Sequence, residues 1–153
     1  MLFIIGVGWA KPVQIDPRNI PGRTKLMLVA LAGPLSNTVL AIILTFFNVI
    51  IASYTININI PIEIISLIKE LINMIIRINI ILALFNLMPI PPLDGSNILR
   101  YFLPTPLEQA YLKIAPYGMF ILLLIMFTIG FRFIFDAALI VQLYLYKLIQ
   151  III

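Results

Sequence analysis

The chain has 153 residues, of which 63% are hydrophobic and 10% charged, with a mean hydropathy of +1.16. Soluble domains carry about a quarter charged residues, so this composition excludes a soluble globular enzyme, a disordered tail and a nucleic-acid-binding module. It leaves an integral membrane protein. Cysteine and histidine are both absent, which excludes disulfides, thiolate chemistry and any imidazole base or ligand supplied by these residues.

In chain order, Met1 to Val7 is apolar but too short for a signal peptide and lacks a basic flank; it reads as the tail of a longer hydrophobic element. Residues 1–25 are expected to be interfacial, because Pro12, Pro17, Pro21 and Gly22 break any helix among Lys11, Asp16, Arg18, Arg23 and Lys25. Residues 26–62 carry no charge. A membrane helix over residues 26–53 follows, with a loop or short strand after it where Asn57 and Asn59 alternate with isoleucines before Pro61.

A second membrane helix is expected over residues 62–88. Glu63, Ser66, Glu70, Asn73 and Arg77 recur at spacings of three and four, which places them on one stripe facing protein, water or headgroups. The stripe is read as an interfacial or bundle-facing surface, with a functional relay as the other reading. A Pro-rich loop over Pro89 to Lys113 precedes two further apolar stretches, 114–130 and 133–149, expected as a helical hairpin with Arg132 at its turn. With the N-terminal segment inside, Lys11, Arg18, Arg23, Lys25, Arg100, Lys113 and Lys147 fall on the cytoplasmic side, as does the Asp94 loop. The architecture is all-α, a single polytopic membrane domain with about four membrane helices.

Two segments carry candidate chemistry. In Asn86-Leu87-Met88-Pro89-Ile90-Pro91-Pro92-Leu93-Asp94-Gly95-Ser96 the prolines end the helix and hold the chain extended, and Gly95 allows a tight turn. One carboxylate, Asp94, is thereby fixed near the end of a membrane helix. Such rigidity suits a metal ligand; the other reading is a cap on a short helix from Ser96 to Phe102. In Ala32-Gly33-Pro34-Leu35-Ser36-Asn37 the small residues permit close helix approach, Pro34 frees a backbone carbonyl and Asn37 has hydrogen-bonding capacity across helices. A plain packing notch has the same composition.

Gly8-Trp9-Ala10-Lys11-Pro12-Val13, Asp16-Pro17-Arg18-Asn19, Ala30 through Asn37 and Asn86 through Gly95, in that order and spacing, resemble the site-2 protease family, the M50-type zinc metalloproteases that cut within membranes. The resemblance covers roughly Gly8 to Phe102. It implies a zinc ion held by two histidines of a His-Glu-x-x-His helix and by an aspartate, for which Asp94 stands here. It implies Asn86 as a substrate or oxyanion contact. Gly33, Pro34 and Asn37 match the family helix beside the active site, and Pro91, Pro92 and Gly95 shape the aspartate loop. Substrates would be membrane-embedded helices in the cell (inner) membrane.

The His-Glu-x-x-His motif does not occur in these residues. The expectation is a truncated, inactive form that by itself neither holds zinc tightly, since one carboxylate is insufficient, nor cleaves peptides, unless a separate chain supplies the motif. The alternatives are a non-catalytic pseudoprotease or membrane packing subunit and, from the polar stripe alone, a transporter fragment. Expected partners are the bilayer and substrate helices, with no nucleic acid.

Overall fold

The computed structural model describes residues 22–54 and 61–152. The interfacial segment up to Pro21, the Gly8–Val13 and Asp16–Asn19 motifs and the loop around Asn57 lie outside the described residues. Those described are helical throughout, apart from short connections, and contain no strand. The helices are α1 (Arg23–Tyr54), α2 (Ile62–Asn86), α3 (Asp94–Phe102), α4 (Thr105–Ile114), α5 (Gly118–Ile125) and α6 (Phe131–Ile152). The protein is an all-α membrane protein. Among the described residues three stretches are long and apolar enough to cross a bilayer: Arg23–Ile51, Thr105–Thr128 and Phe131–Ile152.

α2 is as long as a span, with 25 residues or about 37 Å, but it carries Glu63, Lys69, Glu70 and Arg77. It is nevertheless packed along α1. Asn48 Nδ2 donates to Lys69 O at 3.2 Å, and Ala41 and Ile76 share one buried cluster. One partner moves up its helix as the other moves down, so α1 and α2 are antiparallel. α6 continues the layer. Ala138 joins Ala41, Ile76 and Ile80 in the same cluster, and Arg77 meets Gln142 while Asn73 meets Tyr146, which makes α2 and α6 antiparallel too. Ala41 and Ala138 are fully buried; their small side chains let three helices approach, which matters where no hydrophobic force acts between helices in lipid.

The expected hairpin over 114–130 and 133–149 is absent. A 3₁₀ turn at Ala115–Tyr117 joins α4 to α5, and a π turn at Met126–Gly130 joins α5 to α6. Ile125, Met126 and Phe131 all keep right-handed helical dihedrals, so the path never reverses between Thr105 and Ile152. Nothing in Thr128-Ile129-Gly130 compels a reversal: no proline follows, and Gly130 keeps helical dihedrals, with φ positive only at Gly22 among the described residues. In consequence Arg132, two residues before Ile134, lies toward the C-terminal end of α2, where Ile134 packs on Leu93, Leu122 and Met126. Lys147 lies beyond the Tyr146–Asn73 contact, toward the opposite end. The loop expected over 89–113 is also largely helical, because α3 and α4 occupy most of it.

Candidate functional site

The site is built where α2 ends. Leu87 N–H reaches Ala83 O at 3.1 Å and Met88 N–H reaches Phe85 O at 3.1 Å, which closes the helix. Pro89, Pro91 and Pro92 have no N–H to continue it. Two tight turns follow, Ile90 N–H to Met88 O at 2.8 Å and Leu93 N–H to Ile90 O at 2.9 Å, and the Pro91–Pro92 peptide is cis. α3 then starts at Asp94.

This loop is gripped from three sides. Gly95 sits so close to Leu87 O and Met88 O that a Cβ there would overlap backbone. Its φ is not left-handed, so its role is close approach rather than the tight turn expected from the sequence. Gly118 of α5 lies against Pro91 O in the same way, with a Cβ position 2.7 Å from Pro91 Cβ. Tyr111 of α4 donates its hydroxyl to Pro89 O at 3.0 Å. The contribution of Gly118 and Tyr111 was not visible in the pattern around Asp94; an isolated glycine two residues after Pro116 was the only signal.

The short helix expected after Asp94 exists, but Asp94 is its first residue rather than its cap. Leu93 holds the cap position, and no side-chain cap bond forms. The Asp94 carboxylate has no hydrogen-bond or ion-pair partner among the described residues. It is half-buried, and Oδ2 stands 3.1 Å from where a Cβ on Gly33 would be. Desolvation pushes its carboxyl above the ordinary value. α1 and α3 thus meet at Gly33 and Asp94, and Gly33 leaves space for the carboxylate.

The neighbouring candidates take distinct places. Pro34 lies inside α1 and is fully buried; it has no N–H for the carbonyl one turn earlier, and beside it Ser36 Oγ donates to Gly33 O at 2.7 Å and Thr38 Oγ1 to Pro34 O at 2.8 Å. Asn37 is one turn beyond Gly33 on the same α1 face and is half-buried. Asn86 is the last residue of α2 and also half-buried. Neither amide is hydrogen-bonded to Asp94. Gly33 itself is exposed, so the carboxylate borders an open face of α1.

An ionic clasp fixes the far end of α3. Glu108 of α4 accepts from Arg23 at the start of α1 and from Arg100 of α3, the latter at 3.2 Å. Arg100 also donates to Asn97 Oδ1 at 3.3 Å, and Arg23 to Leu103 O at 3.4 Å. Helices α1, α3 and α4 are therefore tied at one point below Asp94.

These residues do not by themselves fit a zinc ion. The donor set offers one carboxylate and no imidazole, and no group of three metal-ligating side chains occurs among the described residues. Zinc sites in enzymes use three protein ligands.

Comparison with known proteins agrees with the resemblance read from the sequence. The pattern of Peptidase family M50 matches residues 49–126, which includes Asn86 and Asp94. A relative in Bacillus subtilis (strain 168), named "Putative zinc metalloprotease YwhC", is 32% identical over 129 residues. That alignment covers 84% of this chain and 58% of the relative, so the chain spans somewhat over half of that protein's length. No solved structure matches. The family pattern over half the chain, with the proline-rich aspartate loop inside it, leads to one conclusion: the chain belongs to peptidase family M50.

Proposed function

We propose that these residues are the aspartate-bearing part of an intramembrane metallopeptidase that hydrolyses membrane-embedded helices. Asp94 is the carboxylate ligand of the zinc centre, and Asn86 is the substrate or oxyanion contact. The two imidazoles and the glutamate base come from outside these 153 residues, in a longer polypeptide or a separate chain, and without them this chain is inactive. The observation that carries the reading is the placement of Asp94 Oδ2 against Gly33, at an open face and without a polar partner among the described residues. A half-buried carboxylate left unpaired by the described residues is positioned for a ligand brought from elsewhere. The backbone grip on Leu87 to Leu93 holds that carboxylate still. The absence of histidine favours a second reading, a non-catalytic membrane subunit built on the same scaffold.

The two separate by metal analysis. The chain purified alone is expected to carry far less than stoichiometric zinc. The chain co-expressed with a membrane segment bearing His-Glu-x-x-His is expected to retain zinc, and Asp94→Ala to release it. Zinc retained equally by the Asp94→Ala form sinks Asp94 as a ligand. No zinc in any combination leaves the non-catalytic subunit as the reading that stands.

A further inference from the structure

The polar stripe of α2 is not used by the site around Asp94. It faces α6, and between the two helices lies a cavity of about 840 Å³. Its floor is a hydrogen-bonded network. Arg77 Nε donates to Gln142 Oε1 at 3.1 Å, Gln142 Nε2 reaches Asn73 O and Oδ1 at 3.4 Å, and Tyr146 donates its hydroxyl to Asn73 Oδ1 at 2.6 Å. Its walls are largely apolar, with Leu67 and Leu71 contributed by α2 and Leu139 and Leu143 by α6.

The depth of this cavity follows from the packing. Ala41 is level with Ile76, and Asn48 with Lys69, so Arg77 is level with about residue 40 of α1. That is near the middle of the Arg23–Ile51 span. A guanidinium facing lipid at that depth is costly unless it is paired. Gln142 is buried and satisfies Nε alone. The two Nη groups have no partner among the described residues, and Arg77 is exposed. Glu70 lines the same cavity two turns away, about 10 Å along the axis, and forms no ion pair with Arg77 in this structure. Beyond Glu70 the groove continues past Lys69 to Ser66. It therefore carries two cations and one carboxylate.

We propose that the α2–α6 groove docks a transmembrane helix carrying a carboxylate at mid-depth, which pairs with Arg77. The lining from Leu67 to Ile81 is about 21 Å long, the size of a helix segment rather than of a headgroup. A lipid phosphate sits at the edge of a hydrocarbon core about 30 Å thick, so about 15 Å from Arg77. A second copy related by an axis normal to the membrane would bring Arg77 toward Arg77 and Glu70 toward Glu70, because equal residues lie at equal depth. Charge complementarity thus selects a helix of different sequence, acidic where Arg77 is basic. Planar, bidentate pairing suits the free Nη fork.

The test uses a labelled Leu/Ala transmembrane peptide with one central Glu, and the same peptide with Leu or Lys there, in phosphatidylcholine vesicles containing the whole chain. Binding is read by energy transfer. The Glu peptide is expected to bind about ten-fold more tightly than the other two, which is about 1.4 kcal/mol. Arg77→Lys is expected to keep that order, and Arg77→Glu to transfer the preference to the Lys peptide. Equal binding of the Glu and Leu peptides overturns the proposal. So does a preference for Glu that survives Arg77→Gln. Loss of the preference on adding phosphatidylglycerol assigns the groove to a lipid phosphate instead, and also overturns it.

Discussion

Asp94, half-buried, and Arg77, exposed, are both ionisable groups on the helical scaffold, yet the fold holds them in opposite ways. Asp94 is fixed by backbone. Proline ends, Gly95 and Gly118 wedge its loop, and the carboxylate itself bonds to nothing among the described residues. Arg77 stands on a regular helix turn and is fixed by its neighbours' side chains, through Gln142, Asn73 and Tyr146. Rigidity at Asp94 comes from shape, and at Arg77 from polar satisfaction on one side only. The first arrangement suits a ligand that needs one oxygen at a set place. The second suits a partner that arrives along the helix and completes a network.

The largest effect should come from breaking the shape side. Gly95→Ala and Gly118→Ala each drive a Cβ into carbonyl backbone, and each is expected to cost about 3 kcal/mol, the upper range of overpacking. Thermal unfolding in detergent measures it, and wild-type stability in either variant refutes the wedge.

The polar side should yield less per bond. Tyr146→Phe removes the 2.6 Å bond to Asn73, and a loss of about 1 kcal/mol is expected for an interhelical bond in a membrane protein. Gln142→Leu, which also strands Arg77 Nε, should lose more than Tyr146→Phe in the same denaturation assay. The reverse order would mean that Arg77 is satisfied elsewhere.

Glu108→Gln tests the clasp below Asp94. Its partners Arg23 and Arg100 are partly exposed, with side chains 49% and 28% accessible, so the expected loss is under about 1 kcal/mol and shrinks in high salt. A loss that salt leaves unchanged would argue against an electrostatic clasp.

The smallest effect concerns Asp94 alone. Its carboxyl is raised by desolvation, so the protonated form is the one the fold favours. That contribution is present below the unfolded carboxyl value and disappears as pH rises through the folded one. Asp94→Asn should therefore be slightly more stable than wild type at neutral pH, and the gap should close in acid. A gap that widens in acid would reverse the assigned sign.

The membrane class, α1, α2 and the aspartate loop were legible because each rests on local pattern. An uncharged run, a three-four stripe and consecutive prolines carry their meaning in adjacent residues. The contact between Gly33 and Asp94 was legible only as a resemblance, since 61 positions separate them and no periodicity links them. The path from Thr105 to Ile152 was misread because two apolar runs around Arg132 look the same whether the helix turns back or continues through a π turn. A π turn adds a residue without a proline or left-handed glycine, so it leaves no mark in composition. The pairing of the α2 stripe with Gln142 and Tyr146 was hidden for a related reason: its partners lie on a helix whose direction depended on that turn.

The unbroken helical path from Thr105 to Ile152 spans 48 positions, about 72 Å if straight, against a hydrocarbon core of about 30 Å. Such a rod must tilt steeply, bend at its 3₁₀ and π turns, or project from the bilayer. It touches the Asp94 loop through Tyr111 and Gly118 and the groove through Gln142 and Tyr146. The two polar regions therefore share one mechanical member, with the π turn as the joint between its grips.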